Sequence, residues 1–262
     1  MACRIVLPRR TPQNIIEKIK SHQAVPEFFG DSAQEVAERA EEISKMTPCA
    51  FIHPSDHPLL YLGHSTIVRE IAEDLDPGVV PSLIVASCGG GGLVCGLVDG
   101  IRKQGWENQT KILVLETVGT RSFNEMVKAG GERVKLEKID SVVTSLSVAQ
   151  VNPRTAEVFL EAKPPLLSRL VTDAEAIAAC AAFADDHRFL VGPACGTTLA
   201  ALYERIVERV LTHNEEEHET IYDKRGHEEF RHSNDGPVVV IVCGGAEIDL
   251  NTLEMFRKQF NV

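Results

Sequence analysis

One stretch, Ser82 to Leu97, constrains this chain more than any other. It opens with Leu83-Ile84-Val85-Ala86, an apolar run that reads as a buried strand. Four consecutive glycines, Gly89 to Gly92, follow; Leu93, Leu97 and Ile101 then return at helical spacing on one face. Strand, glycine turn, helix is the predicted local order. Glycine lets a backbone approach a ligand and turn its N–H groups inward, and a helix N-terminus adds partial positive charge. That combination binds phosphate. A turn that only packs a helix onto a sheet does not need four glycines.

The flanking sequence supplies an α/β frame. Cys3 to Leu7, Val25 to Phe29 and Ala50 to His53 read as strands, separated by helices capped at Thr11-Pro12 and at Ser32 with Glu35. This β-α-β-α-β order predicts parallel strands with right-handed crossovers. Pro54 to Gly63 reads as a connector and His64 to Leu75 as a helix. Beyond the glycine unit come a strand at Lys111–Glu116, a helix at Ser122–Ala129, a weakly patterned Ser141–Val151 and a helix at Arg154–Glu161. A short strand at Leu170-Val171 precedes a helix capped by Thr172 or Asp173, with Glu175 in its first turn. A second glycine turn, Gly192 to Gly196, leads into a helix over Thr197–Leu211. Val238 to Val242 is the most β-prone run and predicts a central parallel strand, with a last helix at Leu250–Phe260. The polar segment 213–236 reads as a mobile surface loop; His213, His218 and His227 within it fit a solvated linker better than a metal site.

Charge and cysteine usage narrow the partners. A net charge of −11 argues against nucleic acid or an anionic membrane, and leaves room for a small anionic ligand in a local positive pocket. No run is long and apolar enough to span a bilayer, and the first residues lack a signal-peptide layout. Seven scattered cysteines without a CxxC pair fit a reduced, cytoplasmic protein and argue against a zinc site or a disulfide framework.

Two further turns carry candidate chemistry. Cys243-Gly244-Gly245 ends a predicted strand, where ligands of open α/β sheets bind. Its thiol is a soft hydrogen-bond partner, a nucleophile or a structural cysteine. Pro193-Ala194-Cys195-Gly196 is another strand-to-helix turn. A dinucleotide fingerprint fits poorly, because position 94 is Val where G-x-G-x-x-G needs glycine; Glu116, ending the next strand, keeps that alternative open.

In order, CRIVLP, GHSTIVREI, SCGGGGLVCGL, LETVGTRSF, IDSVVTSLSV, GPACGTTLAALY and VVVIVCGG resemble the L-serine/L-threonine dehydratases. These are tryptophan-synthase-β-like enzymes of fold type II that use pyridoxal 5′-phosphate. The resemblance runs from Cys3 to about Leu211 and resumes at Pro237. It implies parallel-sheet lobes with helices on both faces, a small lobe over 1–55 and a large one over 56–262. It also implies β-elimination of water from L-serine or L-threonine, yielding a 2-oxo acid (pyruvate from serine) and ammonia. The family setting is a cytoplasmic homodimer in amino-acid metabolism, gluconeogenesis included.

The resemblance also distributes roles. Gly89, Gly90, Gly91, Gly92 and Leu93 would hold the cofactor phosphate. Cys243, followed by Gly244, would face the pyridine nitrogen, and Ser145 one side of the ring. A monovalent cation, potassium, would take carbonyls of Gly89, Thr120, Leu146 and Val148 and an oxygen of Glu116. Two departures stand out. Gly192 replaces a family glutamate before Pro-Ala, removing an anion near the cofactor. The family's Ser-x-Lys-x-Arg-Gly motif, with the lysine that bonds the cofactor and acts as base, does not occur in the 262 residues; nor does its Ser-x-Gly-Asn-x-Gly loop. Lys18, Lys20 and Lys45 lie on predicted helix faces without the motif, so no catalytic residue is assigned. The resulting expectation is a chain lacking an N-terminal segment and inactive as it stands. The alternatives are a non-catalytic paralogue that binds the cofactor or a partner, and a dinucleotide-binding oxidoreductase.

Overall fold

A computed structural model of the chain describes residues 2–11, 13–31, 33–212 and 235–262. It divides into two compact units, Met1–His53 and Pro54–Val262. Pro12, the expected cap Ser32 and residues 213–234 of the polar loop lie outside the described residues; Thr11, the other expected cap, donates its hydroxyl back to the Pro8 carbonyl at 2.7 Å.

The first unit contains strand β1 (Arg4–Leu7), helix α1 (Gln13–Ser21), strand β2 (Val25–Phe28) and helix α2 (Ala33–Met46). The two strands pair in parallel, Arg4 opposite Val25 through Leu7 opposite Phe28. The expected third strand at Ala50–His53 does not form. Ala50 and Ile52 are exposed, and Phe51 packs edge-on against His53 instead, ring centroids 6.3 Å apart. A short apolar run becomes a strand only where another strand offers it a ladder, and this one has no such neighbour among the described residues.

The second unit is built on a four-stranded sheet of β3 (Leu83–Ser87), β4 (Lys111–Thr117), β5 (Leu166–Val171) and β6 (Val238–Val240), in the order β5-β4-β3-β6. All its pairings are parallel. Alternation along the strands sends side chains into two cores. Ile84, Ala86, Ile112 and Val114 enter one with Val68, Leu97 and Ile101. Leu83, Val85, Leu113 and Leu115 enter the other with Ile177, Leu199 and Leu253. Helices α3 (Pro58–Asp74), α4 (Gly92–Gln104), α5 (Ser122–Lys128) and α6 (Pro153–Glu161) come before β5. Helices α7 (Asp173–His187), α8 (Pro193–Tyr203), α9 (Ile206–Thr212) and α10 (Leu250–Phe260) come after β5. Both faces of the sheet are thus covered, as a parallel sheet requires.

Some local expectations shift. Helix α3 starts at Pro58, inside the expected connector: His57 is its N-cap, with Nδ1 accepting from the Leu59 N–H at 3.1 Å, and proline takes a first-turn position. Helix α8 starts at Pro193 and breaks before α9, where Arg205 is left-handed at φ 56°. The larger correction concerns β6. It is three residues long and, among the described residues, lies at the edge of the sheet, not its centre. Apolar continuity reports burial, but not how many strands flank the run.

Candidate functional site

The glycine turn is held from behind. The Cys88 N–H still bonds the Leu115 carbonyl at 3.0 Å, after which the chain leaves the ladder. Gly91 is the N-cap of α4 at φ 94°, a conformation that glycine adopts without cost. Asn152 pins the turn: its N–H donates to the Gly90 carbonyl at 2.9 Å. Its side-chain oxygen caps α6 through the Thr155 N–H at 2.8 Å, and its Nδ2 donates to the Ser55 carbonyl. Thr155 fills the space behind Gly91; a Cβ there would lie 1.8 Å from Thr155 Oγ1.

Gly90, Gly91 and Gly92 are buried. Yet among the described residues no protein acceptor meets the N–H groups of Gly89, Gly90, Gly91, Gly92 or Leu93. Buried backbone donors are almost always paired. Several orphaned together at the N-terminus of a 13-residue helix form an anion cradle, and a phosphate fits it.

The end of β4 supplies a buried acid. Glu116 is fully buried; Oε1 accepts from the Phe123 N–H at 2.8 Å and Oε2 from the Asn124 N–H at 2.7 Å. Burial pushes its carboxyl up to about 8, against the pull of those hydrogen bonds. Asn124 Oδ1, also buried, has no partner among the described residues. An acid turned inward in this way does not reach a ribose at the strand end, which removes the main support for a dinucleotide site.

The segment after Val143 packs onto the glycine turn. A Cβ on Gly89 would meet the Ser145 carbonyl at 3.2 Å, Leu146 Cα at 3.4 Å and the Val148 side chain at 3.6 Å. The structure therefore brings Gly89, Ser145, Leu146 and Val148 together. The Leu146 carbonyl already accepts from the Val148 N–H at 2.8 Å, which leaves it one lone pair. Thr120 lies in the turn after β4, its hydroxyl hydrogen-bonded to Thr117 Oγ1 at 3.0 Å. Thr117 Oγ1 in turn donates to Ser141 Oγ at 3.0 Å, tying that turn to the segment carrying Ser145.

The chain beyond β6 meets the start of α8. Gly244, at φ 116°, accepts from the Gly192 N–H at 3.0 Å and from the Cys195 thiol at 3.2 Å. The Cys243 N–H donates to Cys195 Sγ at 3.2 Å. Cys243 and Gly244 are exposed, as is Ser145. The proximity of the two thiols pulls Cys195 down to about 7 against its burial and pushes Cys243 up.

One residue that sequence reasoning missed changes the electrostatics here. A Cβ on Gly192 would lie 2.1 Å from Glu247 Oε1. The Glu247 carboxylate fills the volume that a side chain at 192 would take. An anion is present at this turn after all, delivered from a distant position. Asn152 and Thr155 were missed too, although Asn152-Pro153 is a legible helix start.

Comparison with known proteins gives the class. Residues 1–216 match the family "Pyridoxal-phosphate dependent enzyme", and the chain belongs to it. Within that class it belongs with the serine and threonine dehydratases. It is 38% identical over 260 residues to the L-serine dehydratase/L-threonine deaminase of Mus musculus, covering 98% of this chain and 73% of that protein. It is 38% identical over 248 residues to the L-serine dehydratase of Dictyostelium discoideum, covering 92% of this chain and 64% of that one. The crystal structure of a fungal L-serine ammonia-lyase from Rhizomucor miehei superposes with a TM-score of 0.80 at 29% identity, covering 98% of this chain and 74% of that chain. The fold is that of the fold type II enzymes, α/β with parallel sheets.

Proposed function

We propose that this chain binds pyridoxal 5′-phosphate and belongs to a lyase that eliminates water from L-serine or L-threonine, giving a 2-oxo acid and ammonia. The observation that carries the reading is the set of orphaned N–H groups on Gly89, Gly90, Gly91, Gly92 and Leu93, at the N-terminus of α4. They would hold the phosphate. The Cys243 thiol, next to Gly244, would meet the pyridine nitrogen, and Ser145 would lie against the ring. A thiol is too weak an acid to keep that nitrogen protonated. When bound, the cofactor supplies a sink for the electron pair left as the α-proton departs. No lysine of these 262 residues has the family's base motif, so none is given that role.

The cation belongs to the same proposal. A fully buried carboxylate is costly without a counter-charge, and Glu116 is fully buried. Phe123 and Asn124 give Glu116 neutral backbone donors and no counter-charge; potassium held by an oxygen of Glu116 and the carbonyls of Gly89, Thr120, Leu146 and Val148 would offset its charge with hard oxygen ligands. The wider reading is a two-lobed, cytoplasmic homodimer, with lobes over 1–55 and 56–262, that takes amino acids and neither nucleic acid nor membrane. Two observations support its last part: the net charge of −11, and the lack, among the described residues, of any helix long and apolar enough to cross a membrane.

The test is titration of the pure protein with pyridoxal 5′-phosphate, followed by cofactor fluorescence. Saturable binding that inorganic phosphate competes away, and that Gly91→Val abolishes, is the expected result. Undiminished binding by a folded Gly91→Val protein would overturn the assignment.

A further inference from the structure

Five cysteines take no part in the proposed roles beyond packing, but two sulfurs at the end of β6 are arranged for reaction. Cys195 lies in the first turn of α8 and is 5% exposed; Cys243 is exposed. Cys195 Sγ accepts from the Cys243 N–H and donates to the Gly244 carbonyl, both at 3.2 Å. So one sulfur is open to solvent, and the other is fixed against it by backbone on the same turn. That turn carries left-handed Gly244, whose freedom permits adjustment.

Their neighbours sort the roles. Helix N-termini and hydrogen-bond donors favour thiolate, and Cys195 has both. Its thiol falls to about 7, near the value at which an attacking thiol works best at neutral pH. Glu247 opposes this. Cys180, nearby, donates to the Gly192 carbonyl at 3.5 Å, and burial lifts it to about 12, so it stays inert.

We propose that Cys195 and Cys243 are a peroxide-sensitive modification site that closes to a disulfide. In the first step the Cys195 sulfur, as thiolate, attacks hydrogen peroxide. An S–O bond forms, the O–O bond breaks, and hydroxide leaves as water after taking one thiol proton. In the second step the Cys243 sulfur, giving up its proton, attacks the Cys195 sulfur. The S–S bond forms, the S–O bond breaks, and the second hydroxide leaves as water with the other thiol proton. Two thiols lose two electrons, and peroxide gains them. Closure also removes the Cys243 thiol from the place proposed for the cofactor ring; this consequence rests on the function proposed above, whereas the disulfide itself does not.

The experiment treats the full chain with hydrogen peroxide and reads it by mass spectrometry after alkylation in denaturant. The expected result is a species with two alkyl groups fewer than the untreated protein, and a linked peptide pair carrying Cys195 and Cys243. The variants C195S and C243S should lose that species, and C180S should keep it. Should C195S fail to fold, C195A serves the same purpose. A linkage between other cysteines, or Cys195 over-oxidised with no linkage, overturns the proposal. In parallel, pyridoxal 5′-phosphate is titrated into reduced and oxidised protein. Binding lost on oxidation and restored by dithiothreitol supports the coupling; binding equal in both forms overturns it. If the reduced protein fails to bind, the cofactor assignment falls, and the linked peptide alone decides the thiol proposal.

Discussion

Replacing Gly91 by alanine tests whether the glycine turn is a built device or a tolerant loop. Gly91 has φ 94°, where an L side chain costs about 1–2 kcal/mol. The new Cβ would also sit 1.8 Å from Thr155 Oγ1, so Thr155 must move. Thr155 Oγ1 donates to Asn152 Oδ1 at 2.9 Å, and losing that buried bond costs about 1 kcal/mol more. The expected loss is therefore about 2–3 kcal/mol in the second unit. Urea unfolding, followed through a probe in that unit such as Trp106, measures it. Thr155→Val, which keeps the shape and loses the hydroxyl, should cost about 1 kcal/mol. If Gly91→Ala costs no more than Thr155→Val, the strain does not exist and the argument from left-handed geometry fails.

Three further outcomes follow from the same structure. Glu116 has an ordinary carboxyl value of 4.5 and a folded value of about 8, so between them the unfolded state binds fewer protons than the folded one. Stability should fall as pH rises through that window, by at most about 1.4 kcal/mol per pH unit. Potassium should flatten the slope and Glu116→Gln should abolish it; a slope unchanged in the Gln variant would refute the assignment. Thr172 caps α7, accepting from the Glu175 N–H at 3.1 Å while the Glu175 carboxylate accepts from the Thr172 N–H at 2.6 Å. Thr172→Ala should cost about 1 kcal/mol in thermal unfolding, and no change would refute the cap. Finally, a polypeptide of these 262 residues with added cofactor should release 2-oxo acid from L-serine far below about 1 per second, because no lysine has the base motif; turnover at that rate would reveal another base.

Local signals were legible, and long-range ones were not. The α7 capping box needs only Thr172 and Glu175, three positions apart, and the α10 boundaries rest on an equally local pattern. Strand β5 was read only at Leu170-Val171 because Ser168 and Arg169 look like surface residues. Both are buried, and Ser168 accepts from Asn124 Nδ2 at 2.9 Å, a partner no local pattern reveals. The edge position of β6 and the missing strand at Ala50–His53 depend on which strands stand alongside. In the site, the glycine turn announced itself. Its supports did not: Asn152 reaches Ser55, and Glu247 reaches Gly192, from far along the chain.

The central claim is that the glycine turn donates its free N–H groups to phosphate. Amide NMR of the uniformly 15N-labelled protein, titrated with pyridoxal 5′-phosphate and separately with inorganic phosphate, tests it directly. The account predicts that both ligands move the amides of Gly89, Gly90, Gly91, Gly92 and Leu93 downfield, and that only the cofactor also moves those of Cys243 and Gly244. Glycine-turn amides that stay still at saturating cofactor, while amides elsewhere shift, would contradict it.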